Sequence, residues 1–298
     1  MTAAVGTQAR SVQQNALADL ADIPATSRWV HSGALRLHVL DYGAGTDRAA
    51  VPLVMLPGIT SPAITMDFVA RELTDLVRPI VLDVRGRGMS DSGDSYTLDD
   101  YAADTLAVLA ELELDRPLLF GHSMGARIVA VVAAAGHASG LAAQDGAQPR
   151  GTVLVDPPMS GPGRGQYPTT LAAFLGQLAE ARRGTDADEV ARSWPRWPRR
   201  EQELRARWLS SCDEAAIAAT HAGFESEDFF AAWPSVPAPT VLLHGADSPV
   251  VTAAGVAEAR AVNPAARFVS IPDAGHMVFW DNPATALTLV REALTTLI

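Results

Sequence analysis

The first candidate for a reactive group in this sequence is a serine that has one glycine two residues before it and another two residues after it. The segment Gly121-His122-Ser123-Met124-Gly125 follows the apolar run "PLLFG" and opens the run "MGARIVAVVAAA", which is rich in Ala and Val. A Gly-x-Ser-x-Gly pentapeptide between a strand and a helix is typical of a sharp turn that lifts a serine hydroxyl above a sheet. Glycine has no Cβ, so strand and helix can approach each other closely there. We therefore predict that Ser123 is a nucleophile.

Two backbone amides are candidates for stabilising a negatively charged oxygen beside this serine. Met124 begins the predicted helix, whose first N–H groups point towards the reaction centre. The segment "PGIT" (57–60) follows another apolar strand, and Gly58 would allow its backbone to turn in towards the serine. We predict that the N–H groups of Ile59 and Met124 form an oxyanion hole.

One of the seven histidines stands where a general base is expected. His276 lies in "IPDAGHMVFWDNP", after the last predicted strand and before the last predicted helix. It follows the serine in chain order, and the small residues Ala274 and Gly275 would let its loop lean over the sheet. We predict that His276 accepts the proton of the nucleophile. His122 is interpreted as a packing or orienting residue.

Two aspartates compete for the role of the acid that orients His276. Asp156 ends the strand "GTVLVD", and Asp247 follows the strand "APTVLLHG". In a common Gly-x-x-Asp-x-Val form of the second loop, Ser248 stands at the aspartate position and Asp247 comes one residue early. Both candidates lie at carboxyl ends of predicted strands, where ligands bind in open α/β sheets. We favour Asp156, which needs no shift of register, and keep Asp247 as the alternative; Asp83 is interpreted as structural.

These residues belong to a chain in which apolar strands alternate with helices. Strands are predicted at 34–43, 51–58, 79–86, 117–121, 151–156, 238–245 and 266–272. This alternation predicts an α/β fold with a mostly parallel sheet that helices cover on both faces. Residues 157–235 break the alternation, because they begin with a Gly- and Pro-rich stretch and continue through polar, Trp-containing helical segments.

The pattern divides the chain into a core, an insertion and an extension. We predict an α/β core at 28–156 and 236–298, a helical cap at 157–235 and an N-terminal extension at 1–27 that forms a loosely docked helix. The polar stretch 137–151 is expected to be a surface loop.

Composition limits the kinds of partner. The chain has 298 residues and a formal net charge of −11, which disfavours nucleic acid and anionic membranes as partners. It has no run of eighteen apolar residues that could span a membrane. Cys212 is its only cysteine, and its N-terminus lacks the pattern of a secretory signal, so a cytoplasmic protein is expected. A homo-oligomer is left open, and an anionic substrate would need a local arginine.

The motifs together resemble those of the α/β-hydrolase superfamily. "LPG", "LDVRGRGMSD", "GHSMG", "VDPP" and "DAGHM" occur in that order, and the resemblance covers roughly residues 28–298. It implies an eight-stranded, mostly parallel sheet with a helical cap. More narrowly, "VDPPMSGPGRGQYP", "RARWL" and "DAGHMVFWD" are similar to segments of the N-formylmaleamate deformylases of nicotinate degradation. In that group the triad acid follows the strand before the cap, which agrees with Asp156.

The narrower resemblance implies a substrate and a way of binding it. The substrate would be a small anionic amide, cleaved to maleamate and formate through a formyl-enzyme without metal or cofactor. Arg164, in the Gly-rich entrance of the cap, is our first choice for binding its carboxylate. Tyr167 and Trp280 are expected to line an apolar wall beside the substrate.

Other functions fit the same sequence motifs. An esterase, a lactonase or a hydrolase of carbon–carbon bonds would use the same three catalytic residues and differ only in the cap. A non-catalytic ligand receptor could also keep this fold, because fold alone does not establish activity.

Overall fold

The computed structural model describes residues 14–43, 50–138 and 148–298, and eight of its strands form one sheet. The strands are β1 (Thr26–Ser32), β2 (Leu35–Asp41), β3 (Pro52–Leu56), β4 (Arg78–Leu82), β5 (Leu118–His122), β6 (Gly151–Val155), β7 (Thr240–Gly245) and β8 (Arg267–Ile271). They are ordered β1-β2-β4-β3-β5-β6-β7-β8. β2 pairs antiparallel with β1 and β4, and the remaining pairs are parallel. The predicted fold class, a mostly parallel eight-stranded sheet, is confirmed.

Helices lie before, between and after these strands. They are α1 (Gln14–Ala21), α2 (Asp67–Arg71), α3 (Leu98–Glu111), α4 (Met124–Ala138), α5 (Leu171–Arg183), α6 (Ala187–Ser193), α7 (Arg199–Trp208), α8 (Glu214–Ser226), α9 (Phe229–Ala232), α10 (Ala253–Val262), α11 (Val278–Asp281) and α12 (Pro283–Thr295). The segment between β6 and β7 contains α5 to α9, so the predicted break in the strand–helix alternation corresponds to five consecutive helices.

The two faces of the sheet carry separate hydrophobic cores. Along β5, Leu119 belongs to one core and Phe120 to the other, because successive residues of a strand point to opposite faces. Ile128 of α4 packs into the first core, and Val290 of α12 packs into the second. The central strands are therefore buried on both sides, as a parallel sheet covered by helices requires.

The N-terminal helix α1 is fixed to α7. The Asp19 carboxylate accepts hydrogen bonds from Nε and Nη2 of Arg207, both at 2.8 Å, and from Trp208 Nε1 at 2.8 Å. The expected helix in the extension is present and is docked more firmly than the sequence suggested. Residues 1–13 of the extension and residues 139–147 of the expected surface loop lie outside the described ranges.

Within those ranges, the structure contains no helix with the length and apolar character needed to cross a membrane.

Candidate active site

Ser123 occupies a strained turn between β5 and α4. Its φ is +57°, in the left-handed region that non-glycine residues rarely adopt. Its N–H donates to the carbonyl of Val155 on the neighbouring strand at 2.8 Å. A Cβ added to Gly125 would lie 1.9 Å from the carbonyl oxygen of Leu56, and one added to Gly121 would lie 2.2 Å from that of Gly125. The two glycines therefore allow the close packing that the serine's position depends on.

His276 lies between the serine and a carboxylate. Its Nε2 is 2.8 Å from Ser123 Oγ, and its Nδ1 is 2.7 Å from Asp156 Oδ2. The loop that carries it, after β8, packs tightly on the end of β7, since a Cβ added to Gly245 would lie 2.2 Å from the carbonyl oxygen of Gly275. The three side chains form a continuous chain of hydrogen bonds at the carboxyl edge of the sheet.

Asp156 is the carboxylate that the structure places against His276. It follows β6, has a φ of +49° and is fully buried. Its Oδ1 accepts from the N–H of Gly245 at 2.9 Å, and its Oδ2 accepts from Ser248 Oγ at 2.6 Å. Asp247, the alternative acid, is exposed, and its N–H donates to the carbonyl of Ala274. The serine at the usual acid position thus hydrogen-bonds the aspartate that contacts His276.

The loop after β3 lies directly against the serine. A Cβ added to Gly58 would be 3.4 Å from Ser123 Cβ. Ile59 is buried, and its carbonyl oxygen accepts from Arg87 Nε at 3.0 Å. Met124 is the first residue of α4, and the first N–H groups of a helix have no partner within the helix. The backbone at Gly58 and the start of α4 therefore lie next to the serine, and the N–H groups of Ile59 and Met124 stay the predicted oxyanion hole.

A cavity opens above these residues, between the core and the inserted helices. It contains about 520 Å³ of space not occupied by atoms, part of which is open to solvent. Its core side includes Gly58 to Ser61, His122, Ser123 and His276, and its other side includes Tyr167, Phe174, Gln177, Trp197 and Arg205. Its location beside Ser123 and His276 suits a small-molecule substrate.

Tyr167 is the one residue of the predicted substrate-binding set that lines this cavity. Its hydroxyl lies 3.4 Å from His276 Nε2, and its ring packs on Phe224 at 4.6 Å between centroids. Burial raises the pKa of this hydroxyl, so it remains protonated. Trp280 is fully buried and stacks behind Trp197 at 5.4 Å. It therefore supports the wall of the cavity and does not face it.

Arg164 lies outside the cavity. Its Nη1 and Nη2 donate to the two carboxylate oxygens of Glu258 at 2.7 Å, its Nε is 3.4 Å from Asp228, and its guanidinium stacks on Phe230. The structure does not bring the predicted carboxylate-binding arginine to the serine, because two carboxylates near the surface already bind it. The sequence could not show these partners, since Glu258 is 94 positions away in the chain.

Arg205 of α7 is the arginine that does line the cavity, and our reading of the sequence missed it. Its Nη1 donates to the carbonyl and the hydroxyl oxygens of Thr60 at 2.7 and 2.9 Å, and its Nη2 donates to Gln177 Oε1 at 3.0 Å. The available signal was helical spacing, because Arg205 precedes the fully buried Trp208 by three residues and so lies on the same face of the helix.

His122 contacts the backbone of the loop that carries His276 and so helps to orient it. Its Nε2 lies 3.0 Å from the carbonyl oxygen of His276, to which it donates a hydrogen bond. Burial, together with the nearby His276, lowers the pKa of His122 to about 4. The ring is therefore neutral near pH 7, in agreement with the orienting role expected from the sequence.

The third aspartate of the sequence analysis, Asp83, has its partners away from the serine. Asp83 accepts hydrogen bonds from His38 Nδ1 and the N–H of Ala63, at 2.8 and 2.6 Å. This supports the structural interpretation of Asp83. In the described part of the chain, no group of three or more His, Cys, Asp or Glu side chains is arranged to hold a metal ion.

Known proteins resemble the chain over most of its length. Residues 53–288 match the model of the alpha/beta hydrolase family. An N-formylmaleamate deformylase from Pseudomonas putida is 40% identical over 255 residues, which cover 85% of this chain and 90% of that protein. A 2-(acetamidomethylene)succinate hydrolase from Mesorhizobium japonicum is 29% identical over 92% of this chain and 96% of its own length.

A solved structure adds to these matches. The crystal structure of an N-formylmaleamic acid deformylase from Pseudomonas putida S16 superimposes with a TM-score of 0.80 at 33% identity, covering 89% of this chain and all of that one. The family predicted from the sequence motifs is confirmed. The chain belongs to the α/β-hydrolase family.

Proposed function

We propose that this protein is a serine hydrolase that removes the formyl group of N-formylmaleamate, yielding maleamate and formate. The observation that carries the proposal is the chain of hydrogen bonds from Ser123 through His276 to Asp156 at the wall of a cavity. Identity of 40% to an N-formylmaleamate deformylase supports the choice of substrate.

The first half of the reaction transfers the formyl group to Ser123. His276 Nε2 takes the hydroxyl proton while Oγ attacks the formyl carbon, and Asp156 holds the imidazole in the required tautomer and stabilises its positive charge. The carbonyl oxygen becomes an oxyanion, which the N–H groups of Ile59 and Met124 stabilise.

The second half releases both products. The carbon–nitrogen bond breaks, its electron pair goes to the nitrogen, and His276 returns the proton there, so that maleamate leaves. This nitrogen is conjugated to a second carbonyl, which makes it a better leaving group than a simple amine. Water, deprotonated by His276, then attacks the formyl carbon; the ester bond to Ser123 Oγ breaks, His276 returns the proton to Oγ, and formate leaves.

The inserted helices act as a cap in this proposal. The segment 157–235 covers the carboxyl edge of a core formed by 28–156 and 236–298. It supplies Tyr167, whose hydroxyl lies beside His276 Nε2 and is available to hydrogen-bond the substrate. The net charge of −11 supports a small-molecule substrate over nucleic acid.

Formate release from N-formylmaleamate tests the proposal, with Ser123→Ala as the matched blank. We expect the wild type to release formate at a rate that the variant does not approach. Rapid hydrolysis of an activated ester with no formate from N-formylmaleamate would instead identify an esterase or lactonase that uses the same three residues. Failure on both substrates would contradict a hydrolase of either kind.

A further inference from the structure

Arg205 holds a guanidinium group inside the protein with only neutral partners. The side chain is buried, and its three recorded hydrogen bonds go to the two oxygens of Thr60 and to the amide oxygen of Gln177. A guanidinium has five N–H donors, so these bonds use at most three of them. The remaining donors are available to a ligand.

Among the described residues, the buried Arg87 and Arg127, like Arg205, have no ion pair, but of these three arginines only Arg205 lines the cavity. Arg85 pairs with Asp104, Arg207 with Asp19 and Arg164 with Glu258. Over residues 14–43, 50–138 and 148–298, no ion pair to Arg205 is found. Burial lowers the pKa of its guanidinium to about 10, so the group remains charged near pH 7. A buried charge without a counter-ion is unfavourable, and an anionic ligand would relieve that cost.

Arg205 lies at the boundary of two pockets, one of which also contains Glu180 and Glu189. It lines the same cavity as Ser123 and His276. Its partner Thr60 directly follows Ile59, whose N–H is one of the two proposed oxyanion donors. One guanidinium therefore contacts the oxyanion loop and the cavity at once. An anion bound to it would lie at a fixed place relative to the carbonyl under attack.

We propose that Arg205 binds a carboxylate of the substrate, so that the enzyme selects small amides that also carry a carboxylate group. The planar fork of a guanidinium matches the two oxygens of a carboxylate. This assignment rests on the proposed hydrolase function and deepens it, since it names the charge that an acidic protein needs in order to bind an anion.

The sharpest test compares two substrates that differ only in this group. One is N-formylmaleamate, and the other carries a neutral carboxamide in place of the carboxylate. The measured quantity is the ratio of the two kcat/KM values. We expect Arg205→Gln to lower this ratio about 100-fold, as removal of one partner from a buried ion pair does. Arg205→Lys, which keeps the charge and loses the fork, should lower it less.

Arg164→Gln is the matched control, since it removes a charged side chain from the same inserted segment. We expect it to leave the ratio at the wild-type value. The ratio cancels any general loss of activity that follows from weaker support of the oxyanion loop. An unchanged ratio in Arg205→Gln, or in Arg205→Lys if the first variant does not fold, would overturn the assignment.

Binding of maleate to the Ser123→Ala protein provides a second readout that needs no turnover. Calorimetric titration should detect maleate binding, and the added Arg205→Lys change should weaken it at least about tenfold. Equal binding by both proteins would overturn the assignment. Binding that depends on Arg205 in a protein that releases no formate would keep the carboxylate site and reject the deformylase function.

Discussion

Asp156 contacts His276 in place of the aspartate that is common in the loop after β7, and Ser248 of that loop hydrogen-bonds Asp156. The serine stands at the usual acid position, and its hydroxyl donates at 2.6 Å to the carboxylate that contacts His276. Asp156 reaches His276 from the preceding strand, where its positive φ turns it inwards. The acid thus moves by one strand while its contact with the imidazole is kept.

Two asparagine variants separate the candidate acids. Asp156→Asn should lower kcat about 10⁴-fold, because the imidazole loses the carboxylate that fixes its tautomer. Asp247→Asn should change kcat little, since Asp247 is exposed and His276 Nδ1 already contacts Asp156. Steady-state kinetics on any good substrate gives both values. A large loss in Asp247→Asn with little loss in Asp156→Asn would reverse the assignment.

Single residues differ in how far the sequence identifies them. Ser123 and His276 belong to local patterns in which neighbouring glycines and strand ends determine where the side chain points, so both could be placed from sequence. An arginine's role depends on distant partners. Arg164 lies in a Gly-rich stretch at the entrance of the cap but pairs with Glu258. Arg205 lines the cavity, although the sequence of its helix is mostly polar.

At the scale of elements, the close packing of the turn between β5 and α4 predicts how substitutions of its glycines change stability. Gly125→Ala should destabilise the protein by more than about 2 kcal/mol or prevent folding, since the new Cβ would collide with the backbone of β3. Gly136→Ala, on the same helix, meets no atom within 4 Å and should stabilise it by about 0.5–1 kcal/mol. Chemical denaturation measures both, and equal effects would contradict the packing described for the turn.

The buried carboxyl group of Glu201 on helix α7 lies near the charged residues Asp67 and Arg71 of helix α2. Burial raises the pKa of Glu201 to about 7, despite its contact with Arg200. Asp67 of α2 raises this pKa further, and Arg71 lowers it. The folded protein therefore keeps a proton that the unfolded chain releases above pH 4.5. The stability that this proton contributes is present below pH 4.5 and is lost as the pH rises through about 7.

Replacing this glutamate should flatten the pH dependence of stability. Glu201→Gln stays neutral, so the fall in the free energy of unfolding between pH 4.5 and 7 should be smaller than in the wild type. The difference should be at most about 3 kcal/mol, at about 1.4 kcal/mol per pKa unit. Denaturant titrations at several pH values measure it. Parallel curves for the two proteins would show that Glu201 is not protonated in the folded state.

The central strands were easier to predict than the edge strand β1 and the contacts of helix α1. The seven predicted strands have apolar or alternating patterns, and each corresponds to a strand of the sheet. β1 was missed because only Val30 of its seven residues is buried, so it has no apolar pattern to detect. The firmness with which α1 is docked could not be predicted, because it depends on Arg207 and Trp208, which lie far along the chain.

At the scale of the whole molecule, the proposed site lies between the α/β core and the inserted segment 157–235. The core supplies the serine, histidine and aspartate, and the inserted segment supplies Tyr167 from its first loop and Arg205 from helix α7. Sequence patterns locate an insertion, because the strand–helix alternation stops. They do not reveal which of its side chains reach the cavity, since this depends on how the helices pack on the core.

Identification of the products by NMR tests the account most directly, since N-formylmaleamate has two carbonyl carbons next to its nitrogen. Wild-type protein should convert it to equal amounts of formate and maleamate, and Ser123→Ala should produce neither above the uncatalysed rate. Formamide and maleate would mean attack at the other carbonyl, and undiminished formate with Ser123→Ala would mean another nucleophile. Either result would contradict transfer of the formyl group to Ser123.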